Sequence, residues 1–103
     1  MHSFDYESVR ARLEAARGGY EIVHESPGLE VGVYVLVAPE PDRQQAHADD
    51  ELYIPLEGSG VLQVAGKGIS VRKGEALFVE AGAEHRFTAY ESLSVLVIFA
   101  RKP

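Results

Sequence analysis

The pattern of apolar and polar positions changes period once, near residue 19. Between residues 3 and 17, Tyr6, Val9, Leu13 and Ala16 recur at steps of three and four, one apolar stripe along a short helix. Ser3 or Asp5 stands where a start cap belongs, and Asp5 and Glu7 suit the positive end of the helix dipole. Arg17 falls in the last turn and Gly18-Gly19 stops the helix. Residues 1–18 are therefore expected to form an N-terminal helical arm that packs on something apolar.

From Gly19 onward the period is two. Val31, Val33, Val35 and Val37 alternate with Gly32, Tyr34, Leu36 and Ala38 until Pro39 and Pro41 end the run. Tyr20–His24, Gln44–His47, Glu51–Leu56, Val61–Ala65, Ile69–Arg72, Ala76–Glu80, His85–Ala89 and Leu93–Ala100 read as further strands, with a hairpin around Gly66-Lys67-Gly68. About nine short strands with turn signals every ~8–12 residues indicate an all-β barrel or sandwich. No helical stretch separates them, which excludes βαβ units, so residues 19–103 are expected to form a single β-barrel domain. Val95-Leu96-Val97-Ile98-Phe99 is apolar throughout, the pattern of a strand buried on both faces.

Composition narrows the function classes. The chain of 103 residues is 46% apolar and 25% charged, which suits one folded domain rather than a disordered chain. Sixteen acidic residues against ten basic give a formal charge of −6, which disfavours nucleic acid, since phosphate binding needs clustered Lys and Arg. Cysteine is absent, which removes disulfides, thiolate metal sites and thiol nucleophiles. The opening MHSFDYESVRARLEA has no basic region followed by an apolar run, and the longest apolar run is too short to span a bilayer. The expectation is a cytoplasmic protein with no membrane partner.

Four histidines carry the candidate chemistry: His2, His24, His47 and His85. His2 is terminal and His24 reads as a surface residue. Glu51 follows His47 by four positions, about 13 Å along a straight strand and too far for shared coordination. A reversal at Ala48-Asp49-Asp50 would return Glu51 beside His47. A helical spacing would also do so, although Pro55 and its β-branched surroundings argue against a helix. His85 from a distant strand would complete two imidazoles and one carboxylate, a facial set for divalent transition metals. The plain alternative is that these are polar side chains at turns. No GxSxG elbow is present, and Gly58-Ser59-Gly60 lacks the helix and Lys of a phosphate loop.

These residues fall in two segments that resemble the motifs of the cupin family. His47-Ala-Asp-Asp-Glu51-Leu-Tyr-Ile-Pro-Leu-Glu-Gly58 is similar to the first motif, and Gly74-Glu-Ala-Leu-Phe-Val-Glu80-Ala-Gly82-Ala-Glu-His85 to the second. The 15 residues from Ser59 to Lys73 between them resemble the short spacing of small bacterial cupins. Three positions depart from the family pattern: Gln45 stands for its first histidine, Glu80 for its proline, and Ala89 for its final asparagine. The resemblance implies a double-stranded β-helix (jelly-roll) barrel with a metal near its centre. It implies His47, Glu51 and His85 as ligands, with the Gln45 amide oxygen as a fourth, weaker than imidazole for borderline metals. The metal would be one divalent transition ion per chain: Fe, Mn, Ni or Zn.

Two functions follow as expectations. One is a metal-dependent enzyme acting on a small organic molecule, by dioxygen, isomerase or lyase chemistry. Strand alternation then places Arg43, Tyr53 and Phe87 as pocket candidates, with Arg43 available to a substrate carboxylate. The other is a non-catalytic small-molecule-binding or structural cupin without bound metal. A homodimer is expected for either, because Leu52, Ile54 and Leu56 face away from Glu51, Tyr53 and Pro55 and one helix covers only part of that outer face.

Overall fold

The computed structural model describes residues 1–101. Its elements are helix α1 (Tyr6–Ala15) and strands β1 (Gly19–Ser26), β2 (Leu29–Val37), β3 (Asp50–Gly58), β4 (Gly60–Val64), β5 (Lys67–Val71), β6 (Leu77–Val79), β7 (His85–Thr88) and β8 (Ser92–Ala100). A five-stranded sheet runs β1-β2-β8-β3-β6 and a three-stranded sheet runs β5-β4-β7, antiparallel throughout. This is an all-β jelly roll, a double-stranded β-helix with one short N-terminal helix. Among the described residues, no helix is long and apolar enough to cross a membrane.

The helix is shorter than the stripe suggested. Asp5 caps it by accepting from the Ser8 N–H at 3.1 Å, so residues 3 and 4 lie outside. At the other end Arg17 turns left-handed (φ 66°) and the Gly18 N–H returns to the Leu13 carbonyl at 2.8 Å. The helix lies mainly on β2, where Val33 and Val35 are sealed from solvent.

Between the sheets sits a core that includes Leu62, Val71 and Phe87 from one side and Tyr53, Leu93, Val95 and Val97 from the other. The rings of Tyr53 and Phe87 meet edge-on across it, centroids 4.8 Å apart. β8 lies in the middle of its sheet, between β2 and β3, as its unbroken apolar run requires. Gly58 (φ 78°) lets the end of β3 pass close to β8, since a Cβ there would sit 1.9 Å from the Ser92 carbonyl oxygen.

One expected strand does not form. Residues 41–47 are irregular, and their backbone is organised by the buried Asp42 instead of a ladder. Asp42 Oδ1 accepts from the Gln44 N–H at 3.1 Å and from the Tyr34 hydroxyl at 2.6 Å. Its Oδ2 accepts from the Phe87 N–H at 2.8 Å and the Gln44 side-chain amide at 2.6 Å. A carboxylate holding four donors fixes this segment against β7 without strand pairing.

Candidate metal centre

Three donors converge from different parts of the chain. Glu51 is near the start of β3 and points inward, 2% exposed. His85 opens β7 in the opposite sheet, and His47 comes from the irregular segment that Asp42 anchors. One ligand atom from each lies within 4.8 Å of the others. Two ligands of one ion are at most about 4.2 Å apart for bonds of about 2.1 Å, so the group is close to the size of a coordination site.

The protonation pattern of His85 bears on what fits there. Its Nδ1 is 2.8 Å from the Ala83 carbonyl oxygen, which can only accept, so Nδ1 carries a proton. In the neutral ring Nε2 is then a bare lone pair. It faces Glu51 Oε1 at 2.8 Å and the Tyr53 hydroxyl at 3.0 Å. Tyr53 has a second acceptor, Gln44 Oε1, at 2.9 Å. Glu51 Oε1 is fully buried and has no hydrogen-bond partner unless His85 is doubly protonated. A buried carboxylate oxygen set against an imidazole lone pair needs a cation, either a proton or a metal ion. A metal fits this donor set: two imidazoles and one carboxylate suit borderline divalent ions, and the Ala83 contact is the outer hydrogen bond that orients a ligating histidine.

Packing holds the remaining pieces. Phe99 stands edge-on to His47 with centroids 4.9 Å apart, and the His47 and His85 rings are 5.7 Å apart. Burial, then the charge of Glu51 beside it, drives the Tyr53 phenol well above its ordinary value, so it stays protonated. Burial pulls His85 down, but the Glu51 contact, the Ala83 carbonyl and the negative charges of Glu51 and Asp42 outweigh it and leave His85 raised.

A cavity of about 320 Å³ opens over the cluster. Tyr20, Tyr34 and Phe99 give it aromatic walls, and Glu30 and Asp49 add carboxylates. Tyr20 donates to Glu30 at 2.8 Å, and the other oxygen of Glu30 meets Arg101.

The side chains expected at the site divide. His47, Glu51 and His85 come together, and Tyr53 lines the cavity beside them. Gln45 does not join them. It is exposed, and its neighbour Gln44 supplies the inward amide, its oxygen 3.4 Å from His47 Nε2. Arg43 is also exposed and pairs with Glu40 at 3.3 Å, away from the cavity. Both expectations assumed strand alternation through residues 43–47, and the Asp42 anchor removes it. Phe87 is core, packed behind Tyr53. Tyr20, Glu30, Tyr34, Asp42, Gln44 and Asp49 were not anticipated. Only Asp42, directly after Pro41, carried a local sign, that of an Asx turn.

Comparison with known proteins agrees with this architecture. A family model described as a cupin domain matches residues 33–99. An uncharacterized protein of Streptomyces coelicolor is 33% identical over 101 residues, 97% of this chain and 96% of that one. A crystal structure from Thermus thermophilus superposes with a TM-score of 0.78 at 27% identity, covering all of both chains. An RmlC-like cupin protein from Desulfovibrio desulfuricans superposes with a TM-score of 0.76 at 26% identity, covering 97% of this chain and 96% of that one.

Proposed function

The chain belongs to the cupin family, and from that premise we propose that it binds one divalent transition metal through His47, Glu51 and His85 and acts on a small organic molecule in the cavity above them. The observation that carries this reading is the buried, unpartnered Glu51 Oε1 facing His85 Nε2. When bound, the ion would supply Lewis-acid or redox chemistry of the kind used in oxidation, isomerisation or lyase reactions.

The chain's own residues do the rest. Ala83 keeps the His85 proton on Nδ1, which leaves Nε2 for coordination. Asp42 orients the Gln44 amide, whose oxygen holds the Tyr53 hydroxyl and stands near His47. Phe99 packs on His47 and keeps water from one side of the site. Tyr53 is protonated at neutral pH and brings its hydroxyl within 3.0 Å of His85 Nε2.

Titrating zinc or manganese into chelator-stripped protein tests the reading. The expected result is one ion per chain, lost in His85→Ala. No binding of either metal overturns it and leaves a cupin that binds its ligand without metal.

We further infer that the protein is a homodimer. Phe78 on β6 is 64% exposed and pairs in register with Leu52, which itself pairs with Ile98. That apolar row continues the sheet face beyond the helix, and a second copy placed on it by a two-fold axis would bury it.

A further inference from the structure

The cavity has a charge character that its expected substrates did not. An Arg43 facing inward would have suited a carboxylate, but Arg43 lies outside, and among the described residues no Lys or Arg lines the cavity. Its ionisable lining beyond the metal cluster is acidic: Glu30 and Asp49. The charge of Glu30 is shared with Arg101. Among the described residues, Asp49 makes no ion pair or hydrogen bond. The walls between are aromatic faces, Tyr20 and Tyr34 meeting edge-on at 6.0 Å with Phe99 nearby. Burial, then the contacts with Glu30 and Asp42, raises the phenols of Tyr20 and Tyr34, so both stay neutral. Aromatic faces with a carboxylate among them attract organic cations and repel anions. At the inner end, the unpartnered oxygen of the buried Glu51 points to a second positively charged occupant, the metal, which takes an oxygen donor.

We propose that the cavity selects a small organic cation, an amine- or ammonium-bearing molecule with a hydroxyl or other oxygen donor at its far end, and that Asp49 is its specificity-determining residue. The inner half of this proposal rests on the metal-binding reading above, while the outer half stands on the cavity lining alone.

Three probes of equal chain length separate the classes: 4-aminobutanol, 1,4-butanediol and 4-hydroxybutyrate, which share a hydroxyl at one end and carry an ammonium, a hydroxyl or a carboxylate at the other. Calorimetric titration of the zinc-loaded protein is expected to show the amine binding at least about tenfold tighter than the diol, the margin of one charge-assisted hydrogen bond, and in zinc-free protein, where no ion can ligate it, the carboxylate is weakest. Added salt narrows the margin. Asp49→Asn, an isosteric change, abolishes the margin. In zinc-free protein a carboxylate bound as tightly as the amine, or in either form an undiminished margin in Asp49→Asn or no binding of any probe, overturns the proposal. If the protein takes up no zinc, the metal-binding reading fails by itself, and the same titrations on zinc-free protein still rank the three charges.

Discussion

His85 and Ala83 are joined by a hydrogen bond of 2.8 Å from the ring Nδ1 to the backbone carbonyl, and this contact decides which nitrogen meets Glu51. On the proposed metal-binding reading it makes proton and metal competitors for one position, which gives stability a pH dependence of opposite sign in the two forms.

In the metal-free protein, burial pulls the His85 pKa down but the Glu51 and Ala83 contacts leave it above the ordinary 6.5. A raised folded-state value means folding favours proton uptake. That stabilisation is full below about 6.5 and is lost as pH rises through the elevated folded value. A metal needs the bare Nε2, so its contribution grows as pH rises over the same window. Melting temperatures between about pH 6 and about pH 8 should fall in chelator and diverge upward with zinc, relative to that baseline. Parallel curves would show that His85 Nε2 is not where the ion binds.

Gln44 and Gln45 offer a neighbouring-residue contrast. Gln44→Ala should weaken metal affinity by about 10–100-fold, the usual effect of losing an outer hydrogen bond in a metal site. Gln45→Ala and Gln45→His should leave it unchanged, because residue 45 is exposed. Equilibrium dialysis of the three variants checks this, and an effect confined to residue 45 would reverse the assignment.

Ser94 is fully buried on β8 opposite Val35, and its hydroxyl has no partner among the described residues. Replacing it with Ala removes an unpaired polar group at little cost in volume. Ser94→Ala should therefore raise unfolding free energy by about 1 kcal/mol in urea titration. A destabilised variant would mean that the hydroxyl is satisfied in solution.

Ala89 takes the left-handed conformation (φ 55°) where the resembling motif has asparagine. Asparagine tolerates this region and alanine does not, at a cost of about 1 kcal/mol. Ala89→Asn should recover most of that in the same urea titration. A neutral result would show that the turn relaxes to relieve the strain.

Phe78 provides the test of assembly. Its ring is mostly exposed, so Phe78→Glu should leave the folded chain intact while placing charge on the apolar row. Light scattering should change from twice the 11.3 kDa chain mass to the chain mass itself. A wild-type protein already at the chain mass would show that this face needs no partner.

The strands were legible where side chains alternate against two packed sheets: Val31 to Val37 and Leu93 to Ala100 lie within or close to β2 and β8. The convergence of His47, Glu51 and His85 was legible because motif spacing depends on that ladder. The segment from Arg43 to His47 was misread because a single buried carboxylate, Asp42, replaced the ladder, and alternation carries no information about such an anchor. Tyr20, Tyr34 and Glu30 reach the cavity from β1 and β2, far in sequence from either motif, and only the sheet order brings them there.

β8 follows β1 to β7 in sequence yet lies between β2 and β3. During synthesis the larger sheet is therefore two fragments, β1 with β2 and β3 with β6, each presenting an open inner edge. Residues 92–100 join them last, so the barrel cannot be assembled progressively as the chain emerges. A ribosome stalled before that strand, or a protease that removed it, would leave two unpaired edges of the kind that recruit other chains. The demand on cellular quality control falls on the synthesis of this one strand.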